Sequence, residues 1–244
     1  MNLKDYLITP DWPAPSNVHA LITTRLGGVS TGPYATMNLA DHVGDDPAAV
    51  ARNREILRVH IPNDPKWLKQ VHGNVVVTAD ELTMPPKADA SIARKANTVS
   101  AVLTADCLPV LFCNMAGTVV AAAHAGWRGL AGGVLETTVK AMDEAPENIM
   151  AYFGPAIGPG AFEVGDEVRD AFMATDQDAA LAFTPGNHGK WFADIYLLAR
   201  QRLDRLGIIQ VFGGEFCTYL DAKRFYSYRR DGHTGRMASL IWMD

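Results

Sequence analysis

A chain of 244 residues, 48% hydrophobic and 20% charged, is long enough for one substantial core and has the composition of a globular protein. A formal net charge of −5 argues against a general nucleic-acid or anionic-membrane binder, and no apolar run approaches the roughly 18–20 residues that span a bilayer. Three widely spaced cysteines, Cys107, Cys113 and Cys217, exclude a disulfide framework, and the start MNLKDYLITPDW lacks the basic-then-apolar order of a signal peptide, so the expectation is a cytoplasmic protein with free thiols.

In chain order, HALITTR (19–25) reads as a strand. Asp45-Asp46-Pro47 opens a helix with acidic residues at its positive end, and Ile61-Pro62 stops it. WLKQV and NVVVTA flank His72-Gly73-Asn74, which predicts a hairpin with the histidine at its turn. TVSAVLTA, LPVLFC and TVVAAAH follow as apolar strands with short breaks, one of them Met115-Ala116-Gly117. LAGGVLETTVKAMDEA predicts a helix, IMAYFG (149–154) a strand, and DIYLLARQRLDRLG an amphipathic helix closed by Gly207 at the C′ position. IIQVFG, FYSY and MASLIW read as closing strands. There is no internal repeat or long linker, which predicts a single domain over 1–244. Its class is α+β, with mixed β-sheets covered by helices.

The stretch VAAAHAGWRGLAGGV, residues 120–134, sets one histidine in a run of small apolar residues and then turns at once into Trp-Arg-Gly. A buried imidazole must be satisfied or used. Two other residues of metal-binding type stand beside turn signals: His72 in QVHGN and Cys107 in TADCLP, where Pro109 is expected to interrupt a regular ladder just past the sulfur. Two histidines and a thiolate make a three-ligand site with an open fourth position, the arrangement of catalytic zinc. A zinc-bound water loses a proton near neutral pH. The spacing of 35 and 17 residues matches no zinc finger, and two other readings stay open. Cys107 could be a nucleophile with His124 or His72 as base and Asp106 or Asp89 as orienter, or all three could be ordinary packed residues. The deaminase pattern H-x-E with P-C-x-x-C is absent, as are G-x-x-x-x-G-K-[ST] and G-x-G-x-x-G.

A second cluster is cationic. SYRRDGHTGR places Arg229, Arg230 and Arg236 among turn-forming residues, and Arg128 (GWRG) and Arg25 (TTRLGG) stand beside glycines. Arginine forks match phosphate or carboxylate oxygens, and a helix following Gly126–Gly133 would turn free N–H groups toward an anion. The ordinary alternative for each is a surface ion pair. Trp127 is expected at the mouth of the site, His42 packed near the start of the first helix, and Cys113 and Cys217 inert in strand-like surroundings. His19, His60, His188 and His233 read as surface or loop residues.

TTRLGGVSTGPYATMNLADHVGDD, QVHG, TADCLPVLF, HAGWRGLAGGV, GPAIGPGAFEVG and FYSYRRDGHTGR, in this order from about Ile22 to Trp242, together resemble the YfiH family. Its members are called laccase-domain proteins, polyphenol oxidases or peptidoglycan editing factors. The resemblance implies a fold shared with cysteine-hydrolase-like toxins and a zinc site, copper being possible, held by His72, Cys107 and His124. It implies phosphate-dependent cleavage of adenosine, inosine and methylthioadenosine, with deamination of adenosine, so the partners are a small-molecule nucleoside and phosphate. The expected assembly is a monomer or homodimer. Gly160 is a departure, since many relatives carry cysteine there.

On that premise Arg25 and Asn38, from TTR and MNL, are candidate ribose or phosphate contacts, and Asp106 a candidate proton carrier. A four-copper oxidase mechanism is disfavoured by seven histidines with no H-x-H pair. The alternatives are an amidase that removes a wrong amino acid such as serine from a nucleotide-linked muramic acid precursor, and a binding protein with structural zinc.

Overall fold

In the computed structural model, which describes residues 6–244, the elements in chain order are β1 (Leu7–Ile8), β2 (Val18–Thr23), α1 (Pro47–Arg58), β3 (Val76–Thr78), β4 (Ala90–Ala93), β5 (Ser100–Thr104), β6 (Leu108–Asn114) and β7 (Val120–Ala125). There follow α2 (Trp127–Ala131), α3 (Val134–Met142), β8 (Ile149–Phe153), β9 (Glu163–Val164), α4 (Asp166–Met173), β10 (Phe183–Pro185), β11 (Trp191–Ala193), α5 (Ile195–Arg205), β12 (Gln210–Gly213), α6 (Tyr228–Asp231) and β13 (Met237–Met243).

Two mixed or antiparallel sheets dominate, ordered β12-β8-β6-β7-β4-β3 and β1-β2-β13-β5, with a small sheet β10-β11-β9 beside them. β6 shows why they stack. Its alternate residues Leu108, Val110 and Phe112 face α3 and α5, while Leu111 and Cys113 meet Ile22, Val102 and Ile241 of the four-stranded sheet. Both faces of the strand are covered, so it reads as a continuous apolar run. Leu21, Leu103 and Leu240, on the far side of the four-stranded sheet, pack with Leu57 of α1. The result is helices, sheet, sheet and helix in four layers, an α+β architecture of mixed sheets covered by helices.

Local signals place the ends. The Asp46 carboxylate accepts the Ala48 N–H, capping α1, which ends at Arg58, just ahead of Ile61-Pro62. Gly207, at φ +81°, closes α5 with a Schellman pair: Gly207 N–H to Asp204 at 2.8 Å and Ile208 N–H to Leu203 at 2.9 Å.

Several sequence expectations are corrected. No hairpin surrounds His72: β3 pairs in parallel with β4, and residues 66–71 run alongside other segments with isolated bridges at Lys66 and Lys69. The turn is held by a carboxylate instead, as described below. The helix expected from LAGG is two helices, because Gly133 adopts φ +87° and ends the first after five residues. FYSY is not a strand, for Ser227 caps α6 by accepting the Arg230 N–H. Cys217 lies in a loop, its sulfur accepting the Gly158 N–H, whereas Cys113 is fully buried in β6.

Pro109 does not interrupt the ladder either: it pairs with His124 within β6 and β7. Its carbonyl accepts the Gly154 N–H at 2.9 Å, and the Tyr196 hydroxyl donates to the Gly154 carbonyl at 3.2 Å. That hydroxyl supplies a donor where proline has none.

Candidate metal centre and its cavity

Two strand ends and a turn converge on one point. His124 is the penultimate residue of β7, with only 3% of its side chain exposed. Cys107 immediately precedes β6, after Asp106 has taken the backbone through φ +87°. His72 sits in an exposed turn at φ +59°. The Cys107 sulfur lies 3.8 Å from His72 Nε2, the two imidazoles meet edge to face at 4.8 Å between centroids, and the donor atoms of all three lie within 4.8 Å of one another. Among the described residues this is the group of three such side chains close enough to hold a metal ion. Zinc bonds of 2.0–2.3 Å place tetrahedral ligands about 3.5 Å apart, so the donors close on an ion with a shift of about 1 Å. Two imidazoles and a thiolate fit a borderline metal.

Asp89 organises this centre. Fully buried, its carboxylate accepts the backbone N–H groups of Val71 (3.2 Å), His72 (2.9 Å) and Gly73 (2.7 Å), and His124 Nδ1 at 2.8 Å. One side chain therefore shapes the His72 turn and fixes the His124 tautomer, leaving Nε2 toward the centre. Burial works against the charge of Asp89, but the His124 and backbone hydrogen bonds prevail and hold its carboxyl below the usual range. Gln70 adds a second tether, exchanging hydrogen bonds with the Leu103 N–H (2.7 Å) and carbonyl (2.8 Å).

The glycines after His124 answer to close approach. A Cβ on Gly126 would stand 2.7 Å from His72 Cδ2 and 3.1 Å from the Cys107 sulfur, and one on Gly129 would stand 2.7 Å from the Gly73 carbonyl oxygen. α2 thus presses against the His72 turn where a methyl group would push the ligands apart.

The electrostatics describe a thiolate–imidazolium pair, in which a bound metal ion would take the place of the His124 proton. Burial would raise the Cys107 thiol, but the charge on His124 and hydrogen bonds from both histidines bring it down to about 6. Burial also disfavours the His124 imidazolium, yet the thiolate and Asp89 raise that group to about 9. Cys113, with no such partners, is pushed up to about 12 by burial.

The centre lines a cavity of about 530 Å³. Arg236 and Arg229 share its wall, whereas other arginines singled out from the sequence are committed elsewhere. Arg230 donates to the carbonyls of Thr218, Tyr219 and Phe225 and pairs with Asp231. Arg25 donates to Ala35 and Ala222 carbonyls and covers the Tyr226 ring. Arg128 stacks on Trp127 at 4.4 Å, and both line a neighbouring groove of about 280 Å³ rather than this cavity. Asn38 is buried away from the cavity wall, and its Oδ1 accepts the Arg236 N–H at 3.0 Å, so it supports that arginine. Asp106 lines the cavity with both oxygens engaged, by the Thr218 hydroxyl and the Arg229 N–H, each at 2.6 Å.

Arg236 donates through Nη1 to Thr234 and Gly235 carbonyls; its Nε and Nη2 have no hydrogen-bond partner among the described residues. Sequence reasoning overlooked Phe162, Tyr228 and His42, which also line the cavity. Tyr228 is 62% exposed, and an aromatic residue inside the polar run SYRRDG was the available signal. His42 does not pack on α1 as expected: its side chain is 61% exposed, because the loop carrying it passes over the cavity.

Comparison with known proteins places this geometry in context. A family model described as multi-copper polyphenol oxidoreductase laccase matches residues 19–244. The chain is 57% identical over 241 residues to purine nucleoside phosphorylase YfiH of Escherichia coli (strain K12), covering 97% of this chain and 98% of that one. It is 54% identical over 237 residues to purine nucleoside phosphorylase PA4543 of Pseudomonas aeruginosa, with 97% and 98% covered. Among solved structures, protein NMB0706 of Neisseria meningitidis superposes with a TM-score of 0.95 at 57% identity, over 98% of this chain and 99% of that one. YlmD from Geobacillus stearothermophilus does so at 0.89 and 32%, over 95% and 93%.

Proposed function

The chain belongs to the family described as multi-copper polyphenol oxidoreductase laccase, and we propose that it is a metal-dependent purine nucleoside phosphorylase of the cytoplasm, acting on adenosine, inosine and methylthioadenosine and also deaminating adenosine. The relatives named as purine nucleoside phosphorylases support this reading across nearly the whole chain. The observation that carries it is the meeting, in one cavity, of the His-Cys-His donors, the unengaged edge of Arg236 and the aromatic faces of Tyr228 and Phe162.

Phosphorolysis needs each of these. The bond from ribose C1′ to purine N9 breaks through a cation-like sugar while a phosphate oxygen attacks C1′. Arg236 presents Nε and Nη2 for two parallel bonds to that phosphate, and Arg229 adds charge beside it. Tyr228 offers a ring face to the purine. His72, Cys107 and His124 would hold a zinc ion, which when bound supplies Lewis-acid polarisation of an oxygen. Two imidazoles and one thiolate with an open fourth position make the donor set of catalytic zinc, which is the metal we assign to them. A four-copper mechanism calls for more ligands than seven histidines without an H-x-H pair supply.

The test is base release from inosine by zinc-loaded protein with and without inorganic phosphate. Phosphate-dependent hypoxanthine and ribose 1-phosphate, abolished by Cys107→Ala, is the expected outcome. Failure to release base with phosphate present overturns the reading. Phosphate-independent release of serine from a nucleotide-linked muramoyl-serine would then assign the cavity to amide hydrolysis.

A further inference from the structure

Departure of a purine requires a proton, and the groups already given a role leave that step unfilled. His72, Cys107 and His124 are metal donors, and Asp106 has both oxygens occupied by donors. Arg229, Arg236 and Tyr228 offer guanidinium and phenol groups, chemical types that are far weaker acids than an imidazolium. The remaining titratable side chain on the cavity wall is His42. It comes from the loop ahead of α1, a different part of the fold from the metal donors.

Resting on the phosphorylase reading above, we propose that His42 is the general acid that protonates the leaving purine. Its Nδ1 lies 3.4 Å from Asp41 Oδ1, and Asp41 in turn pairs with Arg54 at 3.2 Å. Burial raises the Asp41 carboxyl, but the Arg54 charge and the His42 hydrogen bond outweigh it and hold the group in its charged form. A carboxylate at Nδ1 takes that hydrogen and leaves the transferable proton on Nε2, which has no partner among the described residues.

The loop is fixed on both sides of the imidazole. The Tyr34 hydroxyl donates to the Val43 carbonyl at 2.7 Å, and Arg54 donates twice to the Leu39 carbonyl at 3.0 and 2.9 Å. Asn38 is tied to Asp45 at 2.9 Å. The histidine is therefore an exposed ring on a braced support, opposite in origin to the metal centre and open to the same space.

In the step itself the C1′–N9 bond breaks with its electron pair passing to the purine, and the Nε2 proton moves to purine N7. A hydrogen phosphate oxygen forms the new bond to C1′, and the proton which that phosphate sheds restores His42. The products are ribose 1-phosphate and neutral base.

A substrate that needs no proton separates this role from a merely structural one. The purine of 7-methylinosine already carries the positive charge that protonation would create. His42→Asn is expected to lower kcat on inosine by about 10²–10⁴-fold while kcat on 7-methylinosine stays within about threefold of wild type. Asp41→Asn should show the same selectivity to a smaller degree. Unchanged thermal melting is expected for His42→Asn, because the ring is exposed. Equal losses on both nucleosides, or no loss on inosine, overturn the proposal while leaving the phosphorylase reading intact. A wild-type protein that cleaves neither nucleoside refutes both together.

Discussion

At the scale of single residues, the candidate metal centre depends most on a side chain that is not one of its three donors. Asp89 holds three backbone amides around His72 and the ring of His124, so its loss loosens two of three donors at once. Asp89→Asn keeps an acceptor oxygen but sets an NH₂ against backbone donors. Zinc affinity is expected to fall about 10–100-fold, read by competition with a chromogenic chelator. Stability should drop by about 1–3 kcal/mol in urea unfolding. The pH dependence follows from the direction of its shift. A carboxyl held below its unfolded value of about 3.9 contributes fully above that pH, and the contribution is lost as pH falls through the folded value. The gap between wild type and variant should be flat near neutrality and narrow below about pH 4. A variant that binds zinc as wild type does would remove Asp89 from this role.

At the scale of elements, α5 and α2 brace the site from behind. The Tyr196 hydroxyl of α5 accepts the Ala156 N–H at 2.7 Å and lies within reach of the Gly154 and Phe216 carbonyls, at 3.2 and 3.0 Å. It therefore serves the strand end beyond β8, where Pro109 cannot donate, and the loop that carries Ile157 to the cavity. Burial raises the Tyr196 phenol well above its ordinary value, so it remains a donor at any working pH. Tyr196→Phe leaves buried backbone groups unpaired and should cost about 1–3 kcal/mol in chemical denaturation. Zinc content should be unchanged, since no donor touches this ring; loss of metal would show that α5 governs the centre directly.

At the scale of the whole molecule, the two large sheets stack so that both faces of β6 and β7 are dry. Two of the three candidate metal donors, Cys107 and His124, stand at the ends of those buried strands, where a rigid core delivers side chains to a cavity rather than to bulk water. Leu111 is fully buried between the sheets. Leu111→Ala should cost about 2–5 kcal/mol through lost burial and the void left behind. The urea unfolding midpoint reports it, and a change below about 1 kcal/mol would mean that the sheets close over the gap.

Much of this protein was legible along the chain because the signals are local. Continuous apolar runs marked β6 through β8, Asp46 and Gly207 marked helix ends, and His72, Cys107 and His124 stood beside turn signals. The resemblance in motif order carried the family, and the matching family model bears it out. What could not be read was which distant segments share a space. A carboxylate 17 residues from His72 and 35 from His124 satisfies both, and of five arginines singled out beside turns, only Arg229 and Arg236 line the cavity. His42 likewise became a site residue only when its loop crossed the cavity mouth. Local sequence determined the strands, the caps and the kinds of donor, because propensity and periodicity act over a few residues. Tertiary structure alone decided which polar groups are spent on the backbone and which remain free, because a hydrogen bond has no dependence on distance along the chain.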